Sequence, residues 1–150
     1  MIKHFKYLWY VIKHKHFVFI ECCKLGIPWR GVLHDWHKFS PSEWFPYVEK
    51  FYGGVNNKAQ FKMAWFHHQK YGRHHWQWHC MPAIDGSIEA MPMTQNDLLE
   101  MMADWKGAGR AQGNTIGSLA FYKSNKDKMI LHPDSRQWIE SYIGYQRGEE

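Results

Sequence analysis

One hundred and fifty residues and 18.0 kDa are the size of one domain and too few for two. A hydrophobic content of 45% and a charged content of 22% exclude a disordered tail and a collagen-like chain. Three cysteines, two of them adjacent at Cys22 and Cys23, exclude a secreted disulfide scaffold and point to the cytoplasm.

The first predicted element is an amphipathic helix over 2–25. Phe5, Leu8, Trp9, Ile12, His16, Ile20 and Cys23 recur at helical spacing and form its expected buried stripe. Lys3, Lys6, Lys13 and Lys15 are spread through it, so it does not read as a signal peptide, and no apolar run reaches the about 20 residues of a membrane span. Gly26 and Pro28 end it, and a second helix is expected from Trp29 to about Lys38. Ser40, Pro41 and Glu43 predict a capping box opening a third helix over 41–51, which Gly53 and Gly54 break. A fourth helix over 58–71 carries Phe61, Ala64, Trp65 and His68 on one stripe.

Cys80 to Met93 reads as a loop. Thr94 and Asp97 open a fifth helix with Leu98, Met101, Met102 and Trp105. Residues 107–118 carry four glycines and are expected to be a flexible loop, followed late by a helix over about 135–146. No strand pattern of useful length is visible, so the expected fold is an all-α, compact single-domain helical bundle over 1–150. Its metal-site core covers about 10–112, and the Gly-rich loop and last helix occupy 107–150.

Aromatic residues reach 17%, and the net charge is +5. That combination suits phosphate-bearing partners, because lysine and arginine attract phosphate and aromatic faces stack on bases. Nine of the eleven histidines fall between His14 and His79. His16 continues the stripe of the first helix, whereas His14, two residues and about 200° away, should point elsewhere. His68 continues the stripe of the fourth helix. Several inward histidines on different helices, with Asp35 beside His34, suggest a metal site built between helices.

The segment Gly31-Val32-Leu33-His34-Asp35-Trp36-His37-Lys38 resembles the LHDxxK segment of the HD-domain metal-dependent phosphohydrolases. That resemblance implies a first histidine from the preceding helix, a His-Asp pair, and a last aspartate from a later helix. Here these are His16, His34, Asp35 and Asp104, with His68 and His75 as additional ligands of a second metal. The stretches from His16 to Glu43, Ala64 to Trp76 and Glu100 to Trp105 also resemble a family of small uncharacterised proteins from phages and bacteria, which implies no activity.

The expected cofactor is one or two divalent ions, with Mn, Fe, Co, Zn and Mg all open to a mixed imidazole and carboxylate set. Asp35, Lys38 and His74 are the candidate catalytic residues. Lys38, Arg73, Lys106 and Arg110 are the candidates for binding phosphate. Glu100, four residues before Asp104, is a candidate support or ligand. The expected function is hydrolysis of a phosphate monoester or diester, in a nucleotide or another small ester, by a metal-activated water. Two alternatives stay open: a di-iron oxygenase of the HD type, and a protein that binds nucleotide or nucleic acid with metal serving structure.

Overall fold

In the computed structural model, residues 1–54, 57–114 and 117–146 are described. They form α1 (Ile2–Lys24), α2 (Pro28–Leu33), α3 (Pro41–Val48), α4 (Lys58–Tyr71), α5 (Gln95–Ala111), α6 (Ser118–Asn125) and α7 (Pro133–Ile143). Strands β1 (Cys80–Pro82) and β2 (Ile88–Ala90) form a small antiparallel hairpin in the stretch read as loop. Three-residue strands are too short to show alternation, which is why the sequence pattern misses them. The fold is all-α, and among the described residues no helix is long and apolar enough to cross a membrane.

The dominant packing is α1 along α5. On α1 the buried residues are Tyr7, Val11, His14, Val18, Glu21 and Cys22. The expected stripe points the other way: Phe5 is 66% exposed, Trp9 62%, and His16 and Cys23 are also exposed. Both faces carry apolar residues at helical spacing, so periodicity alone cannot choose between them. The choice is made by α5, which presents Ala103, Gly107 and Ala111, three small buried residues four apart. A Cβ at Gly107 would stand 2.5 Å from Val18 Cγ2 and 2.7 Å from the Val18 nitrogen. This close approach sets the register of α1 and turns His14 inward.

It also accounts for the expected loop at 107–118. Helix α5 runs on through Gly107 and Gly109 to Ala111, because packing against α1 outweighs the weak helix propensity of glycine. Helix α6 then begins at Ser118, and residues 115–116 of the expected loop lie outside the described residues. At the start of α5 the expected cap is formed: the Asp97 N–H donates to Thr94 Oγ1, and the Thr94 hydroxyl donates to Asp97.

The apolar core is divided. One cluster joins Leu98, Met101 and Met102 to Tyr122 of α6, Ile139 of α7 and Met129 from the connection between those two helices. A second joins Tyr7 and Val11 to Tyr47, Val48 and Ala64 from α3 and α4. A third contains Val18, Cys22 and Ala103. Close to these clusters lie buried histidines and carboxylates, so the interior holds a polar centre as well as an apolar one.

Candidate metal centre

The centre is organised around Asp35. Helix α2 starts with Pro28 at its first turn and ends at Leu33, earlier than the expected Lys38. Asp35 then takes φ 52°, the one non-glycine residue with positive φ among the described residues. Such a backbone costs about 1–3 kcal/mol and persists where the surroundings hold it. It breaks the helix so that His34 and Asp35 both turn inward, and a short 3-10 turn, Trp36–Phe39, brings His37 and Lys38 back beside them.

Four side chains from three parts of the chain meet here. His14 Nε2 lies 3.2 Å from His34 Nε2, 3.2 Å from Asp35 Oδ2 and 3.4 Å from Asp104 Oδ1. His34 Nε2 lies 3.4 Å from the same Asp35 and Asp104 oxygens. An ion bound tetrahedrally with bonds of about 2.0–2.2 Å holds its ligand atoms about 3.4 Å apart. The five separations therefore match the edges of a tetrahedral coordination sphere.

Asp35 belongs to two further groups of candidate ligands, one with His37 and His68 and one with His74 and His75. His37 Nε2 and His74 Nε2 each lie 3.6 Å from Asp35 Oδ1, and His68 Nε2 lies 3.9 Å from Asp35 Oδ2. Among the described residues, Asp35 Oδ1, His37 Nε2 and His74 Nε2 are buried and make no hydrogen bond. Buried polar atoms left unpaired are costly. His37 Nε2 and His74 Nε2 fall in separate groups with Asp35, so a second cation would satisfy Asp35 Oδ1 and one of the two.

Two glutamates hold the imidazoles in place. Glu100 accepts from His34 Nδ1 at 3.0 Å, faces His74 Nδ1 at 3.2 Å, and is itself held by Arg30 at 2.9 Å. Glu43 accepts from His37 Nδ1 at 2.8 Å, from His68 Nδ1 at 3.2 Å and from His67 Nδ1. Each bond fixes a ring and, for His34, His37, His68 and His74, leaves Nε2 toward the centre, the usual arrangement around a metal-binding histidine. Glu43 was read from the sequence as half of a capping box. Instead Ser40 Oγ pairs with Ser42 Oγ, and Glu43 shares the buried face of α3 with Tyr47 and Val48. Its place four residues before Tyr47 on that face is the signal that could have identified it.

The electrostatics favour positive charge at the centre. Burial works against a charge on His34, yet Asp35, Asp104 and Glu100 raise its pKa well above the ordinary imidazole value. Burial works the other way on Asp35, yet His34, Lys38 and His68 hold its carboxyl well below the usual range. Lys38 is buried with Nζ 2.5 Å from Asp35 Oδ2. Burial and the Lys38 charge together lower His14 to about 4, so it is a neutral imidazole with a lone pair to offer. Burial would raise Glu43, but its histidine partners hold it at about 2.

Of the residues expected at the site, the structure brings together His34, Asp35, Lys38, His68, His74, His75 and Asp104. His75 Nε2 stands 3.0 Å from His68 Nε2. His16 is not among them. It lies on the exposed face of α1, and His14 stands in its place because the Gly107 contact fixes the rotation of that helix.

The expected phosphate-binding arginines are engaged elsewhere. Arg73 pairs with Asp97 and lies over the Trp78 ring. Arg110 pairs with Glu21 and lies over Phe17, and the charge of Lys106 also acts on Glu21. Arg110 itself lies in helix α5 rather than in the expected loop. A pocket of about 820 Å³ instead reaches the centre at His14, Lys38, His68 and Asp104, with Lys6 and Lys13 in its wall.

A family model described as a family of unknown function, DUF5662, matches residues 3–145. No curated protein and no solved structure matches the chain.

Proposed function

Because the chain belongs to DUF5662, a family whose function is unknown, its activity has to be argued from the centre itself, and we propose that it is a divalent-metal-dependent phosphohydrolase. The observation that carries this reading is the near-tetrahedral set of His14, His34, Asp35 and Asp104. Its order along the chain, a histidine, a His-Asp pair and a later aspartate, is that of the HD-domain phosphohydrolases once His14 replaces His16. We take the likeness to that superfamily as part of the proposal.

In this reading His14, His34, Asp35 and Asp104 hold the first ion. Asp35 also stands in two further groups that could hold a second ion, one with His37 and His68 and one with His74 and His75. A divalent ion held there would supply Lewis acidity toward a phosphate oxygen and would ease the deprotonation of water near neutral pH. Lys38, already against Asp35, places a positive charge where a phosphate oxygen would sit. Where a second ion takes His37 and His68, His74, fixed through Nδ1 by Glu100, keeps Nε2 for holding or delivering a proton. The pocket above offers Lys6 and Lys13 to further phosphate oxygens.

Elemental analysis joined to turnover tests the proposal. The purified protein should carry at least one Mn, Fe, Co, Zn or Mg ion per chain and hydrolyse a nucleotide or generic phosphate ester. The double variant His34→Ala, Asp35→Ala should lose both metal and turnover. Full metal occupancy in that variant would remove the site. Metal without turnover of any phosphate ester would favour a nucleotide-binding or nucleic-acid-binding protein with a structural ion.

One observation favours a second enzymatic reading. Four imidazoles, from His37, His68, His74 and His75, flank Asp35 in two groups, and imidazole with carboxylate is a ligand set that iron accepts. Iron as the native metal, with oxygen consumption and no phosphate release, would select a di-iron oxygenase.

A further inference from the structure

The centre lies where two pockets meet. The first, of about 820 Å³, lies along α1 and the end of α3, and the second, of about 590 Å³, lies between residues 74–77, α5 and α6. Trp65, His75, Asp104, Ala108 and Gln112 line both. The candidate ligands divide between them. His14 and His68 face the first pocket together with Lys38, His74 faces the second, and His75 and Asp104 face both.

The two pockets differ in chemistry. The first presents Lys6 and Lys13 beside Trp9, Tyr10 and Tyr52, a wall for a group that is both flat and negatively charged. The second presents Trp105 and Phe121 with the amides of Gln77 and Asn125, and among the described residues Lys128 is the one lysine or arginine in its wall. Gln77 Oε1 is buried and makes no hydrogen bond among the described residues. Together these walls suit a flat, mostly neutral group that can hydrogen-bond to side-chain amides.

A phosphate monoester has one substituent and would fill one pocket. From this arrangement we infer that the substrate is a phosphodiester with an aromatic group on each side, such as a dinucleotide, its phosphorus held at His75 and Asp104. This rests on the phosphohydrolase reading above. The substituent carrying additional phosphate lies along Lys6 and Lys13, and the less charged one lies against Trp105. In the reaction the water oxygen bonds to phosphorus and the bond from phosphorus to one ester oxygen breaks. One proton of the water ends on the released alcohol, leaving a phosphate monoester.

The test compares kcat/KM of the metal-loaded full chain on a 5′-phosphorylated dinucleotide, the same dinucleotide without that phosphate, and a mononucleotide. The phosphorylated dinucleotide should be turned over at least tenfold better than the mononucleotide. Lys13→Gln should erase the advantage given by the 5′ phosphate. Ala120→Trp, placed on α6 in the wall of the second pocket, should reduce the ratio of dinucleotide to mononucleotide turnover at least tenfold. Both variants are compared at matched metal content and melting temperature, so a folding defect registers separately. Equal or better turnover of the mononucleotide by the unaltered protein would overturn the inference and leave the phosphohydrolase reading intact. Turnover of none of the three, with metal bound, would overturn both.

Discussion

The Nε2 atoms of His14 and His34 face each other at 3.2 Å, each also within 3.4 Å of carboxylate oxygens of Asp35 and Asp104. Two imidazole lone pairs repel at that distance unless something positive lies between them. A proton or a metal ion meets that need, and the neighbouring carboxylates favour either.

The two histidines of α1 should therefore behave differently. His14→Gln should remove most of the bound metal, whereas His16→Gln, on the exposed face, should leave it unchanged. Metal per chain after gel filtration, measured by mass spectrometry, checks this. Loss at His16 would mean that α1 packs in another rotation.

Asp35 has a backbone role and a charge role that substitution can separate. Asparagine adopts positive φ readily, so Asp35→Asn should fold while losing metal. Asp35→Ala should lose metal and also about 1–2 kcal/mol of stability, because alanine tolerates that conformation poorly. Urea denaturation of both metal-free variants measures the difference.

Glu100 touches His34, His74 and Arg30 but lies one shell outside the four-ligand set. Glu100→Gln should weaken metal binding by about 10–100-fold without abolishing it, as loss of a carboxylate behind a ligating histidine usually does. Competition with a chelator of known affinity gives the ratio.

Gly107→Ala sets two effects against each other. Alanine improves helix propensity by about 1 kcal/mol. The added Cβ would meet the backbone of Val18 at 2.7–2.9 Å, and overpacking of that kind costs about 1–3 kcal/mol. Backbone cannot move aside as a flexible side chain can, so the variant should be less stable, and shifting α1 should also lower metal content.

Metal should stabilise the native protein, since the ligands converge only in the fold. At a free metal concentration 100 times Kd the gain is about 2.7 kcal/mol. The melting temperature should rise on adding the native ion to stripped protein, and the His34→Ala, Asp35→Ala double variant should show no rise.

The helical class and most helix boundaries follow from local physics. Gly26 and Pro28 end α1, Thr94 caps α5, and periodicity places α4 within a residue of where it is observed. The histidine concentration and the His34-Asp35 pair were legible for the same reason, since chemistry of that kind rarely gathers on inward-facing positions by chance. What the chain alone did not decide was rotation and partnership. Phe5, Trp9 and Ile12 make as good a buried stripe as Tyr7, Val11 and Val18, and the bulk of Val18 against Gly107, 89 positions away, selects the second and with it His14 over His16. Glu43 likewise read as a cap because its neighbours in sequence suggest one. Its histidine partners His67 and His68 arrive from α4, and a contact between separate helices leaves no periodic trace in either.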